Sequence, residues 1–207
     1  MTIILVIITA IISYYAFERP DVKRQLMLYP FAIKQRNEYY RFVTHGFVHA
    51  NWTHLLINMF VLFQFGEICE NYIFGFSGEF GNLIFIIFYL SAIVFSSLID
   101  YAQHQNNPSY GALGASGATS ATIIGYVLID PWQWFFFPPL PAIILVAGYL
   151  WYSNYMSKRG GDNIAHNAHF YGALYGIVFF ALYSIFQAPP LYQNFIERLL
   201  AGPMSPF

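Results

Sequence analysis

The sequence predicts an all-α integral membrane protein with six transmembrane helices and a long, structured first loop. Two observations carry this. Of the 207 residues, 57% are hydrophobic and 21% aromatic, but only 9% are charged. An ordinary soluble domain has about 25% charged residues, so this chain has too few to cover a wetted surface. The apolar residues also gather in six runs, near 2–17, 54–73, 82–100, 113–130, 136–156 and 165–187, each to be set against the ~20 residues that cross a bilayer. The length fits a single membrane domain over 1–207.

The first run, MTIILVIITAIISYYAF, has no basic leader and no A-x-A cleavage site, so it is expected to be a retained span and not a signal peptide. Residues 18–53 follow. They are too long for a tight turn and mix charges with Leu, Tyr, Phe and Trp, so this connection is expected to fold and to dip partly into the membrane. The second run opens at HANWTHLLIN, and the fourth opens with GALGASGATSA at 111–121 before turning to TIIGYVLI. Trp132, Trp134 and Phe135 to Phe137 form an expected interfacial aromatic belt. Pro138, Pro139 and Pro141 fall near the start of the fifth run, where a missing N–H costs least. In the tail, Leu191/Tyr192, Phe195/Ile196 and Leu199/Leu200 recur at helical spacing, which predicts an interfacial amphipathic helix within 188–207. The net charge of -1 offers no basic field for nucleic acid. The single cysteine, Cys69, permits no intrachain disulfide.

Six spans put both termini on one face of the membrane and the odd-numbered connections on the other. On that count, His49, His54 and Asn58 at the start of span two, Ser116 at the start of span four, and His166 and His169 at the start of span six share one depth on one side.

Ser116 sits in Gly114-Ala115-Ser116-Gly117. Taken alone, such a run fits close helix packing better than catalysis, although small neighbours also give an incoming carbonyl room to reach a nucleophile. His169 shares a helix face with Gly172 and Gly176, and glycines there let a second helix approach. An ionisable group buried in a membrane helix is costly and points to function. His54 and Asn58 are four residues apart and project together. Both can donate hydrogen bonds to an oxyanion, although alone the pair fits a structural role better. Together these residues describe a serine hydrolase site inside a membrane. No aspartate falls in an obvious orienting position, which favours a Ser–His dyad over a triad.

With these motifs in order, the chain resembles a six-span prokaryotic rhomboid intramembrane serine protease. Tyr40-Arg41 resembles the family's Trp-Arg pair, with tyrosine in place of tryptophan; His49, His54 and Asn58 match H-x4-H-x3-N; Glu70 matches an acidic residue closing span two; Gly114, Ser116 and Gly117 match G-x-S-G; Ala168, His169 and Gly172 match A-H-x-x-G. The resemblance implies that Ser116 attacks a peptide carbonyl and His169 takes its proton. His54, Asn58 and the Ser116 N–H would hold the oxyanion, with His49 in support. It implies no metal and no cofactor. Its partners would be the lipid bilayer and membrane-anchored, single-pass protein substrates. Some members carry a tyrosine four residues after the serine, stacked on the base; here that position is Ser120, so Tyr171 or another aromatic would have to serve.

Lys and Arg crowd the site-bearing face, from Arg19, Lys23, Arg24, Lys34, Arg36 and Arg41 to Lys158 and Arg159, against only Arg198 on the other. The positive-inside rule would turn that face to the cytoplasm. The resemblance implies the reverse, a bacterial cytoplasmic membrane protein whose site opens extracytoplasmically. That orientation is the one expected, because a long folded loop is not what the rule counts best. Two rival functions remain. One is a pseudoprotease that binds membrane clients, though this chain keeps both serine and histidine. The other is a metalloenzyme liganded through His45-x3-His49 and His166-x2-His169.

Overall fold

A computed structural model of the chain describes residues 1–135, 139–159, 165–186 and 190–203. The described residues are helical apart from loops and two isolated bridges, Leu28 with Ala112 and Trp134 with Pro141. Helix α1 is Thr2–Glu18. At its start the Glu70 carboxylate accepts hydrogen bonds from the Met1 amino group and from the Thr2 N–H (2.7 Å), placing an anion at the helix N-terminus. Arg19 breaks the helix because it precedes proline and takes φ -130°, ψ 84°. The same device recurs at Tyr29, so Pro20 opens α2 (Pro20–Leu26) and Pro30 opens α3 (Pro30–Arg36).

The first connection is folded, as expected. After α3 come α4 (Arg41–Thr44) and a 3₁₀ turn over His45–Phe47. Arg41 is the buried organiser of this segment. Its guanidinium donates to Glu38 (2.6 Å) and to the carbonyls of Arg24 (2.8 Å) and Met27 (2.9 Å), with the Tyr40 ring 5.4 Å away. The planar five-donor fork suits three acceptors set at different angles.

Helix α5 (Trp52–Val61) is capped by Asn51, whose side chain accepts from the His54 N–H (2.9 Å). It runs on through π-helical turns at Leu62–Gly66 and Cys69–Ile73 and turns over Phe74–Phe80, where Gly78 takes φ +56°. The remaining helices are α6 (Gly81–His104), α7 (Ser116–Ile129), α8 (Ala142–Arg159), α9 (His166–Phe186) and α10 (Pro190–Ala201).

Among the described residues, two helical stretches qualify as membrane spans by length and apolarity: Trp52–His104, which contains two of the expected runs, and His166–Phe186. α1 and α7 are apolar but shorter, at 17 and 14 residues. The run expected at 136–156 becomes helical only at Ala142. Phe136, Phe137 and Pro138 of the expected belt and proline group lie outside the described residues, as do Gln187 of the sixth run and residues 188–189 and 204–207 of the tail. The tail helix forms as α10. It docks through buried Leu191 and leaves Leu200 81% exposed, while the Trp132 indole donates to the Leu199 carbonyl (3.1 Å).

α7 is the centre of the molecule. Its residues are buried on nearly every side, with α5, α6, α8, α9 and α10 around it. At the end remote from Ser116, Phe74, Phe85, Phe88, Phe179, Phe180 and Tyr183 interlock α6 with α9. Aromatic pairs of this kind contribute about 0.5–1.5 kcal/mol each beyond their buried area.

Candidate active site

The site is built at the crossing of α7 and α9, the most extensively packed helix pair. A Cβ on Gly172 would be driven into the Gly117 backbone, and one on Gly176 would lie 2.9 Å from the Ala121 carbonyl oxygen. Gly117 in turn faces Ser96 of α6, and a Cβ there would lie 3.2 Å from the Ala168 carbonyl. Ser116 is the residue before Gly117, and His169 the residue after Ala168. Each therefore stands one residue away from a close contact between the two helices. Ser116 is also the first residue of α7, so its N–H is among those the helix leaves unpaired.

The approach to Ser116 is held from three sides. Leu28 and Ala112 exchange backbone hydrogen bonds (2.9 and 3.0 Å), and the Gly114 N–H donates to the His45 carbonyl (2.9 Å). Gly114 takes φ +117°, and a Cβ there would lie 2.5 Å from the His54 ring. Both facts demand glycine at this position. The Ala115 N–H donates to His49 Nε2 (3.3 Å). That nitrogen is therefore the bare one, and Nδ1 carries the proton that His49 donates to Ser13 Oγ (2.9 Å), which donates onward to the Phe47 carbonyl (2.9 Å). Burial pushes the His49 pKa down to about 3, with His54 and His45 adding to the effect, and burial pushes His45 down to about 4. Both are neutral imidazoles at pH 7.

His54 packs edge-on against His49, ring centroids 5.0 Å apart. The Asn58 amide is buried. Its Nδ2 donates to the His54 carbonyl (2.8 Å) and its Oδ1 accepts from Thr119 Oγ1 (3.2 Å). Thr119 also lies 3.1 Å from the Ser116 carbonyl, and Ser120 Oγ donates to that same carbonyl (2.7 Å). His54 and Asn58 thus stand beside the start and first turn of α7. Among the described residues, no three of His, Cys, Asp and Glu converge in a group that could hold a metal ion.

Two residues, Tyr149 and Asp100, escaped the sequence reading. Tyr149 of α8 stacks on His169 (5.7 Å, 26°), while Tyr171 faces Phe170. Asp100 and His45 line a small cavity beside Ser116, with room for about one water molecule. Asp100 is buried and accepts from Asn167 Nδ2 (2.9 Å), tying α6 to the start of α9. The sequence reading saw no aspartate near the site because Asp100 lies in no motif. Its isolation as a carboxylate in an apolar run was the only available signal. Tyr149 offered less, as one aromatic among several in α8.

A profile of the Rhomboid domain family matches residues 36–186. Among curated proteins, the chain is 30% identical over 171 residues to "Rhomboid-like protein 11, chloroplastic" of Arabidopsis thaliana, covering 75% of this chain and 56% of that protein. The chain thus spans little more than half of the plant relative. It is 28% identical over 163 residues to "Rhomboid protease GlpG" of Haemophilus influenzae, covering 74% of each. From the Tyr40-Arg41 corner to the end of α9, the helices, the glycine crossing and the match agree, and the chain belongs to the rhomboid family, whose members are integral membrane proteins and typically intramembrane serine proteases.

Proposed function

We propose that the chain is an intramembrane serine endopeptidase that cuts membrane-anchored, single-pass proteins in or near their span through a Ser116–His169 dyad. The observation that supports this is the α7–α9 crossing, where Gly172, three residues after His169, meets the backbone of Gly117, one residue after Ser116. His169 removes the Ser116 proton as Oγ attacks the carbonyl carbon. The Ser116 N–H, His54 and Asn58 stabilise the oxyanion, with His49 fixing Ala115 beneath them. The peptide C–N bond then breaks, His169 protonates the leaving amine, and water hydrolyses the acyl-enzyme. A regular helix keeps its carbonyls bonded, so the substrate must unwind before attack. The remaining features of the proposal are a single domain over 1–207, six spans, and a site opening extracytoplasmically from a bacterial cytoplasmic membrane. Family membership supports them, and the packed apolar helices are compatible with them.

The test is cleavage of a tagged single-pass reporter co-expressed with wild type, Ser116→Ala, His169→Ala or Asn58→Ala at matched membrane levels, with and without chelator. The expected result is cleavage by wild type, indifferent to chelator, and none with Ser116→Ala or His169→Ala. Asn58→Ala should lose about 10²–10³ in rate, the usual worth of one oxyanion donor. Cleavage that survives Ser116→Ala sinks the nucleophile assignment, and loss with chelator favours a metal site.

A further inference from the structure

We infer that Tyr149, reaching in from α8, is the positioning residue for the His169 imidazole. Its ring lies nearly parallel to His169, with 5.7 Å between centroids and 26° between planes, within the range where aromatic rings attract by offset stacking. A stacked ring can slide or tip unless something holds its far edge. Here the Tyr149 hydroxyl lies 3.1 Å from Ser120 Oγ. Ser120 has one hydroxyl proton, and it goes to the Ser116 carbonyl (2.7 Å). With that proton spent, Ser120 Oγ can accept from the Tyr149 hydroxyl, giving a chain from Tyr149 O–H to Ser120 O–H to the Ser116 carbonyl.

The base is thus referenced to the nucleophile through a third helix. One face of Tyr149 sets the plane of His169 on α9, and its hydroxyl is pinned to the backbone of Ser116 on α7. The hydroxymethyl of Ser120 is what allows this. A larger side chain at 120 would fill the space through which the α8 ring reaches α9. Position 120 and position 149 act as one unit, and either could supply the ring but not both.

Tyr149's role presupposes the Ser116–His169 reading above, and the experiment separates the two. Purified wild type and variants are reacted with a fluorophosphonate probe, which needs the Ser–His pair but no particular substrate. The rate constant is resolved into a maximal rate and a half-saturating concentration, and thermal unfolding is followed on the same samples. Tyr149→Ala is expected to lower the maximal rate about 3- to 10-fold, the worth of one aromatic pair, with the half-saturating concentration unchanged. Tyr149→Phe keeps the ring but loses the hydroxyl anchor and is expected to fall between wild type and Tyr149→Ala. Ser120→Tyr combined with Tyr149→Ala supplies the ring from α7 and is expected to recover the rate lost by Tyr149→Ala alone. An undiminished Tyr149→Ala rate overturns the assignment. So does a loss that tracks a fall in thermal stability and is not recovered by the double variant. Failure of the wild type to label at Ser116 sinks the dyad itself, and with it Tyr149's role.

Discussion

Burial leaves the His49 imidazole no water, so protein groups must satisfy both ring nitrogens. They do so in a way that joins α1, the first connection and the residue before Ser116. His49→Leu keeps the volume but strands the Ala115 N–H, while Ser13 keeps its bond to the Phe47 carbonyl. One stranded group costs about 1–3 kcal/mol, so we expect a fall of about 1–3 kcal/mol in unfolding free energy, measured by denaturant titration in mild detergent. Probe labelling at Ser116 should fall as well, because the support under Ala115 goes. The sequence put His49 just before the second run, but its spacing to His54 and Asn58 could not show a bond to a residue 66 positions away. Asp100 was illegible for the same reason, since its partner Asn167 lies 67 positions away.

For the helices, the decisive quantity is backbone separation. The α7–α9 crossing admits no methyl group at Gly172, because what it would strike is the Gly117 backbone, which cannot rotate away. Gly172→Ala is expected to push the helices apart and abolish cleavage and probe labelling. Gly148→Ala, where nothing lies within 4 Å of the added carbon, is the matched control and should leave both intact. Recovery of full labelling by Gly172→Ala would show that the crossing does not set the dyad. The sequence made this contact legible, because His169, Gly172 and Gly176 recur on one face opposite a run of small residues. Helix boundaries were less so. The X-Pro breaks at Arg19 and Tyr29 could be read locally, but the late start of α8 and the π-helical turns after Val61 depend on packing that no short window contains.

Across the whole molecule, two neutral buried histidines make stability depend on pH. The unfolded chain takes up a proton at each near the ordinary value of 6.5, while the folded protein holds His45 neutral to about 4 and His49 to about 3. Between those values the unfolded state binds more protons, so stability is full above about pH 6.5 and is lost as pH falls. The loss is about 1.4 kcal/mol per pH unit for each histidine. We expect an unfolding free energy that is flat above pH 7 and declines toward pH 4. His49→Leu, with one titrating group fewer, should decline less steeply. Equal slopes in the two proteins would mean that His49 is not the proton-linked group. At this scale the membrane character was plain from composition. The six expected spans are matched by length only in part: among the described residues, α1 and α7 are apolar helices shorter than the two stretches that qualify.

That brevity has a consequence for depth. At 14 residues and 1.5 Å per residue, α7 is about 21 Å long, against about 30 Å of hydrocarbon. With its C-terminal end at one boundary, its first residue falls about 9 Å short of the other. Ser116 would then lie at the bottom of a well whose walls are the longer helices around it. Water would have to descend that well, and a substrate chain would have to lean over its rim, before any bond could be cut.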